Sequence, residues 1–173
     1  MKPKNDFGRN INNNTAIDSC KKLKLKMIGV GGPDITKGDK KLTLAVVWQI
    51  MRLHYLKIIG DKSEADLVKW ANDTVAGKAT PIEKLKDPSL SDSKFLIHLL
   101  GAIEPRAVNW DLVLDGGSDE DKTNNAKYAI SIARKLGAVI FSIWEDIVNV
   151  NPKQMLIFIS TCMDIQNTLK EQQ

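Results

Sequence analysis

The sequence predicts an all-α protein, and three observations support this prediction. Apolar residues recur at helical spacing along several long segments. Capping residues, prolines and glycines mark where these segments begin and end. No run has the strict alternation of apolar and polar residues that is typical of a half-buried sheet strand.

The first third of the chain is predicted to contain two helices joined by a glycine-rich turn. Residues 1–13 are rich in asparagine, have few apolar anchors, and are expected to form a disordered lead-in. A short helix is expected from Thr15 to Leu25, with Asn14 as its N-cap. After the turn, the helix expected over about 40–58 is apolar almost all round, so it must be covered on more than one side.

The rest of the chain predicts five more helical elements. The first starts with a cap at Ser63, which Asp66 follows three residues later, and it ends at Gly77. The others follow a surface loop over 78–90. They are a buried helix terminated by Pro105, an amphipathic helix capped by Asn124 and stopped at Gly137, a single turn at WEDIVNV, and a closing helix with Pro152 in its first turn.

The sequence contains an internal repeat. The segment that begins NTAIDSCKK can be placed over the segment that begins NAKYAISIA, with a shift of 113 positions at Leu23 and 112 at Asp34. The matched pairs are Lys22 with Lys135, Leu23 with Leu136, Asp34 with Asp146, Ile35 with Ile147, Lys41 with Lys153 and Leu44 with Leu156. A repeat of domain length predicts one complete module preceded by the back half of another.

Charge is unevenly divided along the 173 residues, whose formal net charge is +4. Residues 1–60 carry twelve Lys and Arg against four Asp, a net charge of +8, and the remainder carries −4. Such asymmetry suggests an acidic partner for the first third, either an acidic protein surface, anionic lipid or nucleic acid. The alternative is a solvated face that binds nothing.

The composition and the ends of the apolar segments argue against several classes of protein. No apolar stretch reaches the roughly 20 residues of a membrane-spanning helix, and the N-terminus lacks the apolar region of a secretory signal. A cytoplasmic protein is therefore expected. Cys20 and Cys162 are far apart in sequence, so we expect reduced packing residues rather than a disulfide framework or a metal pair.

The glycine-rich turn, GVGGPDITKG, does not match a phosphate-binding loop. Asp34 stands where a dinucleotide fingerprint needs its third glycine, and the spacing from Gly32 to Gly38 does not fit a Walker loop. The matched segment of the second copy, FSIWEDIVNVNP, has no glycine at all. We therefore expect these glycines to turn the chain, and we expect no cofactor.

No other pattern indicates catalysis or metal binding. The acidic loop DGGSDEDKTNN lacks the glycine and the closing glutamate of a calcium loop. The only two histidines, His54 and His98, have no Cys or His neighbour at ligand spacing, and no nucleophile–base arrangement can be assembled. The four tryptophans are expected to be core anchors rather than a stacking platform for nucleic acid. The sequence predicts neither an enzyme nor a nucleic-acid-binding protein.

Five segments, in order and spacing, resemble the calponin-homology domain of the fimbrin (plastin) family. They are LVKWAND, DSKFLIHLLGAIEP, VNWDLV, NNAKYAISIARKLGA and WEDIVNVNPKQMLIFIS, and they cover about residues 63–166. Ahead of them, GVGGPDITKGDKKLTLAVVWQIMR is similar to the end of the preceding calponin-homology domain of that family. The resemblance therefore implies the back half of a third domain over 14–60 and a complete fourth domain over 61–170.

The resemblance implies a fold of four main helices with short connecting helices, and non-catalytic binding to filamentous actin (F-actin). In this family the first and last helices of a leading domain and the first helix of a trailing one contact actin, and this sequence has counterparts of the last two. The candidate actin-binding residues are Lys40, Lys41, Thr43, Val47 and Met51 on the first of these helices and Lys62, Asp66, Lys69 and Asp73 on the second. The alternative is a structural or regulatory domain with little actin affinity of its own.

The half domain carries a further expectation. A helix that is apolar on all sides, without its usual neighbours, would expose several side chains that are each worth about 1.5–3 kcal/mol when buried. We therefore expect residues 14–60 either to dock on the complete domain or to self-associate. Attachment to anionic lipid through KKLKLK, residues 21–26, is a weaker third possibility.

Overall fold

The computed structural model describes residues 3, 5–58, 60 and 62–171, and these residues form helices and connecting loops without a β-strand. The prediction of an all-α fold is confirmed. The α-helices are α1 (Asp6–Lys22), α2 (Gly32–Thr36), α3 (Lys40–Ile58), α4 (Glu64–Thr74), α5 (Lys94–Ile103), α6 (Asp119–Lys135), α7 (Trp144–Val148) and α8 (Pro152–Glu171). Short 3₁₀ helices lie at Pro88–Asp92, Pro105–Ala107 and Trp110–Leu112. The chain divides into two compact units, Met1–His54 and Tyr55–Gln173.

The first helix starts earlier than the sequence predicted. Asn5, not Asn14, is the N-cap of α1, and its side-chain oxygen accepts a hydrogen bond from the amide of Gly8 at 2.9 Å. Residues 6–13 are therefore helical, so the expectation of a disordered lead-in over 1–13 is wrong from Asp6 onward. The asparagines that suggested disorder instead reach α2, because Asn13 donates to the Thr36 hydroxyl at 3.0 Å and Asn14 accepts from the amide of Gly32 at 2.8 Å.

The first unit contains α1, α2 and most of α3 around a small core. Its buried apolar side chains are Ile17, Cys20 and Val46. Four partly buried side chains pack against this cluster: Leu25, Met27, Val30 and Ile35. Among its described side chains, α3 contributes only Val46 to the buried set, so most of this long apolar helix is not covered within the unit.

The second unit has a larger core, in which α5 and α8 are the most buried helices. Helix α8 packs on α4, α5 and α7, and ten of its residues are buried. Leu99 of α5, Ile130 of α6 and Ile157 of α8 are all buried, while Trp70 of α4 is half-buried. These helices surround one interior, as expected for a four-helix module with short connecting elements.

The helix boundaries of the second unit mostly follow the predicted caps. Ser63 caps α4 and forms a capping box with Asp66, and Pro152 is the first residue of α8. The predicted cap at Asn124 is wrong, because Ser118 caps α6 and accepts a hydrogen bond from the amide of Asp121. Three acidic side chains in the first turn favour this earlier start, since they interact well with the positive end of the helix.

The internal repeat is visible in the structure. Helices α1, α2 and α3 have 17, 5 and 19 residues, and α6, α7 and α8 have 17, 5 and 20. The short middle helices start with the same contact: the Asp34 carboxylate accepts from the Gly31 amide at 2.8 Å, and the Asp146 carboxylate accepts from the Ile143 amide at 3.3 Å. The first unit therefore reproduces the back half of the second.

Candidate functional site

The first candidate surface lies on α3. Lys40 and Lys41 are exposed at the start of the helix, where the Asp39 carboxylate accepts a hydrogen bond from the amide of Leu42 at 2.9 Å. Further along, Val47 is half exposed, while Thr43 and Met51 are partly buried. The structure thus places a pair of cations at the helix start and less polar residues beyond it.

An apolar stripe on α3 contains one candidate residue, Val47, and two residues that the sequence did not single out. Leu44, Val47 and Ile50 recur at spacing of three residues, and each has between 47% and 65% of its surface exposed. The signal in the sequence was the all-round apolar character of the helix, but that pattern did not say which side lacked a neighbour. The stripe is an uncovered face of the first unit.

The repeat shows what normally covers this face. With the shift of 112 positions, Leu44, Val47 and Ile50 correspond to Leu156, Ile159 and Cys162 of α8, which are at most 1% exposed. Helix α8 packs against α4 and α5, and the first unit has no counterpart of either helix. The exposed stripe is therefore the place where the front half of a complete module would pack.

The second candidate surface lies on α4. Lys62 precedes the helix, and Asp66, Lys69 and Asp73 follow at spacings of four, three and four residues, so all four share one face. All four are exposed. The opposite face of α4 is buried through Leu67, Val68 and Ala71. This surface is therefore polar and solvated, in contrast to the stripe on α3.

Both carboxylates of this surface are already engaged. Asp66 accepts from the amide of Ser63 at 3.0 Å and from its hydroxyl at 2.6 Å, and these hydrogen bonds lower the pKa of the Asp66 carboxyl. Asp73 forms an exposed ion pair with Lys69 at 2.5 Å. Exposed pairs of this kind contribute little to stability, so Lys69 can turn to an external anion at small cost. Asp66 is tied to the start of its helix.

A metal site requires several ligating side chains close together. Within the described ranges, no group of three His, Cys, Asp or Glu side chains could hold a metal ion. Cys20 and Cys162 are both buried free thiols, as predicted, and burial raises the pKa of Cys162. Among the helices of the described part of the chain, none is long and apolar enough to span a membrane.

The tryptophans depart from the prediction that all four are core anchors. Trp110 is 46% exposed and stacks on His98, with 4.7 Å between the ring centroids. Burial, followed by the nearby charges of Lys78 and Lys94, lowers the pKa of His98. Trp144 is half-buried, and the Lys127 ammonium lies 5.5 Å from the centre of its ring. None of the four indoles is fully buried, and Trp110 is the most exposed of them.

Comparison with known protein families identifies two matches in the chain. The model of the calponin homology (CH) domain matches residues 1–56 and residues 61–168. These ranges together include most of both compact units. The second match spans α4 to α8, and the first spans α1, α2 and most of α3.

Similar proteins include fimbrins and plastins. Fimbrin of Schizosaccharomyces pombe is 44% identical over 163 residues, which are 89% of this chain and 26% of that protein. Fimbrin-3 of Arabidopsis thaliana is 41% identical over 163 residues, 88% of this chain and 23% of that protein. Plastin-3 of Homo sapiens is 42% identical over 149 residues. The chain spans about a quarter of the length of these relatives.

A solved structure also matches. The crystal structure of the actin-crosslinking core of Schizosaccharomyces pombe fimbrin superposes with a TM-score of 0.81 at 44% sequence identity. The match covers 88% of this chain and 33% of that chain. The resemblance noted in the sequence motifs is thus confirmed for sequence and for fold.

Proposed function

The chain belongs to the calponin homology domain family, and from this membership we propose that it binds filamentous actin without catalysing a reaction, as part of a fimbrin-like protein that cross-links or bundles filaments. The observation that carries the proposal is the match to the actin-crosslinking core of a fimbrin, at 44% identity and over 88% of this chain. The proposed place of action is the actin cytoskeleton in the cytoplasm.

The proposed domain organisation is a half domain followed by a complete one. Residues 61–170 form the complete CH domain, and residues 14–60 form the C-terminal half of another, which α1 extends back to Asp6. The one-to-one correspondence of α1, α2 and α3 with α6, α7 and α8 supports this organisation. The uncovered stripe of Leu44, Val47 and Ile50 supports it independently, because a missing front half would cover it.

The proposed actin-binding residues fall into two groups by their surroundings. The first group consists of exposed charged side chains: Lys40, Lys41, Lys62 and Lys69, with their neighbours Asp66 and Asp73. These lysines would bind acidic groups on the filament, and such contacts weaken as salt screens them.

Thr43, Val47 and Met51 are the less polar members of the proposed set. They stand at positions whose repeat counterparts, Met155, Ile159 and Met163, are buried in the complete domain. We therefore propose that these three side chains contact actin only where no other helix covers them. The lysines then provide most of the affinity.

Co-sedimentation with actin filaments tests the function. The chain should pellet with filaments at low ionic strength and less at about 0.15 M salt, where the screening length is near 8 Å. The paired changes Lys40→Ala with Lys41→Ala, and Lys62→Ala with Lys69→Ala, should each reduce the pelleted fraction. The matched control is Lys84→Ala with Lys86→Ala, which removes two exposed lysines from the surface loop.

The possible outcomes test actin binding and the assignment of the lysines separately. Absence of pelleting at both salt concentrations would contradict actin binding by this chain. Pelleting that both candidate pairs leave at the level of the control pair would retain the function and reject the assignment of these lysines.

A further inference from the structure

A polar cleft lies in the second unit between the loop that follows α4 and the start of α5. Its volume is about 660 Å³. Three of its lining side chains are basic: Lys78 on the loop, and Lys94 and His98 on one face of α5. Among the described residues that line the cleft, Asp92 alone carries a carboxylate. The cleft therefore has an excess of positive charge.

The ammonium group of Lys94 is fixed at the cleft by two neighbouring segments. It donates a hydrogen bond to the carbonyl of Asp115 at 2.9 Å and lies 3.7 Å from one carboxylate oxygen of Asp92. The other oxygen of Asp92 accepts from the backbone amide of Lys94 at 2.8 Å. An ammonium group has three donors, so Lys94 keeps donors for a ligand while its position is set by the protein.

The imidazole of His98 is oriented by stacking on Trp110. The two ring centroids are 4.7 Å apart, and the ring planes are inclined by 33°. The indole lies close to α5 because Gly101 has no side chain: a Cβ at this position would be 3.0 Å from the Trp110 ring. Neither ring nitrogen of His98 has a hydrogen-bond partner among the described residues. The cleft therefore contains an oriented imidazole whose nitrogens the protein does not use.

The electrostatics of the cleft favour an anionic ligand. Burial, followed by the charges of Lys78 and Lys94, lowers the pKa of His98, and Asp92 acts in the opposite direction. His98 is therefore neutral near pH 7 in the free protein. An anion between the two ammonium groups would offset their charges and favour the protonated imidazole.

The balance of charges selects the kind of anion. Lys78 and Lys94 contribute +2 and Asp92 contributes −1, so the free cleft carries +1, and protonation of His98 raises this charge to +2. A carboxylate ligand would leave part of this charge uncompensated, whereas a doubly charged phosphate monoester balances it. The second pKa of a phosphate monoester, about 6, is also close to that of imidazole, so the two groups can share a proton.

We propose that the cleft binds a phosphate monoester through Lys78, Lys94 and His98. The two ammonium groups and an imidazole N–H donate to the phosphate oxygens. The Thr80 hydroxyl also lines the cleft, has no partner among the described residues, and adds a neutral donor. None of these residues belongs to the surfaces proposed for actin. Soluble molecules and lipid headgroups both carry phosphate monoesters, and the experiment distinguishes these two sources.

The probe is inorganic phosphate, titrated into the full chain near pH 7 at constant ionic strength while NMR follows the imidazole signals. The chain has two histidines, and His54, at the end of the first unit, is an internal control. We expect the His98 signals to shift and to saturate below about 20 mM phosphate, a modest affinity for a ligand of few atoms. The pKa of His98 should be higher in the bound state. Absence of a His98 shift, or an equal shift of His54, would overturn the proposal.

One charge reversal tests the assigned ligands. Lys78→Glu should weaken phosphate binding by at least about tenfold, because it removes a charge-assisted hydrogen bond and adds repulsion. Lys86→Glu is the matched control, since it makes the same change at an exposed position of the same loop, outside the lining of the cleft. Equal half-saturation of the wild type and Lys78→Glu would reject the site.

Two further arms decide the class and the source of the ligand. Acetate at the same ionic strength should not saturate the His98 shift, and saturation by acetate at the phosphate concentration would overturn the assignment to a phosphate monoester. Vesicles of equimolar phosphatidylcholine and phosphatidic acid present the same group on a lipid. Vesicle binding that Lys78→Glu reduces would support the site with a lipid source, and phosphate binding without vesicle binding would support it with a soluble source.

Discussion

The indole Nε1 of Trp70 donates a hydrogen bond to Oε1 of Gln166 at 3.2 Å, and so joins α4 to α8 across 96 positions of the sequence. Trp70 also places its ring against the domain while remaining half-buried. Because α4 carries one of the proposed actin-binding surfaces, this bond helps to fix the orientation of that surface on the complete domain.

We expect Gln166→Ala to lower the free energy of unfolding of the second unit by about 1 kcal/mol, the usual net value of one hydrogen bond. The same oxygen also accepts from Lys170 at 3.3 Å, but that exposed ammonium can return to water at little cost. Asn167→Ala, on the exposed neighbour of Gln166, should have little effect. Urea denaturation followed by tryptophan fluorescence measures both. Equal stability of the two variants would show that solvent replaces the bond fully.

The side chain of Asn125 is the most extensively bonded buried polar group of the second unit. Its amide donates to the carbonyls of Asp92 at 3.0 Å and Leu114 at 2.9 Å, and its oxygen accepts from the amide of Leu114 at 2.9 Å. Asn125 is fully buried, so water cannot replace these bonds without a change in packing. It connects α6 to the loop before it and to the end of the first 3₁₀ helix.

We expect Asn125→Ala to destabilise the second unit by about 3–5 kcal/mol, because it leaves three backbone groups without a partner. The control Asn124→Ala changes an exposed side chain of the same helix and should cost less than about 0.5 kcal/mol. The midpoints of urea unfolding, compared at unchanged slope of the transition, would measure the difference in stability between the two variants. Similar midpoints for the two variants would contradict the structural role of Asn125.

The sequence predicted the helices better than their starting points. The helix starts at Ser63–Asp66 and at Pro152 could be predicted, because helix caps depend on the spacing of nearby residues, which the sequence shows directly. The start of α1 was missed because Asn13 and Asn14 are satisfied by Thr36 and Gly32, and contacts between segments 18 to 23 residues apart are not visible in a local pattern. These tertiary hydrogen bonds stabilise as helix a segment whose composition is typical of disorder.

The surface features were predictable only in part. The exposure of Lys40 and Lys69 followed from their charge. The uncovered stripe on α3 and the exposed side chains of Val139 and Phe141 were not separable from core in the sequence, because both lie among other apolar residues. Which of these side chains is buried depends on the neighbours that are present, and that information is tertiary.

The pKa of Asp66 gives a test of the α4 cap by pH. Hydrogen bonds from the hydroxyl and amide of Ser63 hold the pKa of this carboxyl below its ordinary value of 3.8. Because the folded pKa is lower than the unfolded one, the contribution to stability is present above the unfolded pKa. It is lost as the pH falls through the folded pKa.

We expect the carboxyl resonance of Asp66, followed by NMR, to titrate below 3.8, and Ser63→Ala to move that titration upward toward the ordinary value. Ser91→Ala is a control that removes a serine from a different element. Titration of Asp66 at the same pH in the wild type and in Ser63→Ala would contradict the capping box. Weaker actin binding of an Asp66 variant would then need to be separated from fraying of α4.

The two buried thiols report on the two units separately. Cys20 lies in the small core of the first unit and Cys162 in the large core of the second. A core with few buried apolar side chains opens at lower free energy. We expect a thiol reagent to modify Cys20 faster than Cys162 in the native chain, as mass spectrometry of digested samples would measure. Faster modification of Cys162 would contradict the view that the first unit is the incomplete one.

The repeat provides a matched pair of substitutions for the uncovered face of α3. Val47 is 50% exposed, whereas its counterpart Ile159 is fully buried on α8. Ile159→Asp places a charge in the interior and should destabilise the second unit by more than about 4 kcal/mol. Val47→Asp should change the stability of the first unit by less than about 1 kcal/mol, since the new carboxylate remains in water.

The same pair tests what belongs on that face. A peptide that contains the α4–α5 region, residues 62–104, offers the kind of helix pair that packs on α8, and hydrogen exchange can show whether it protects the amides of α3. We expect protection in the wild type and its loss in Val47→Asp, because a carboxylate would be buried in the new contact. If Val47→Asp is as destabilising as Ile159→Asp before any peptide is added, the face is already covered and the half-domain proposal is wrong.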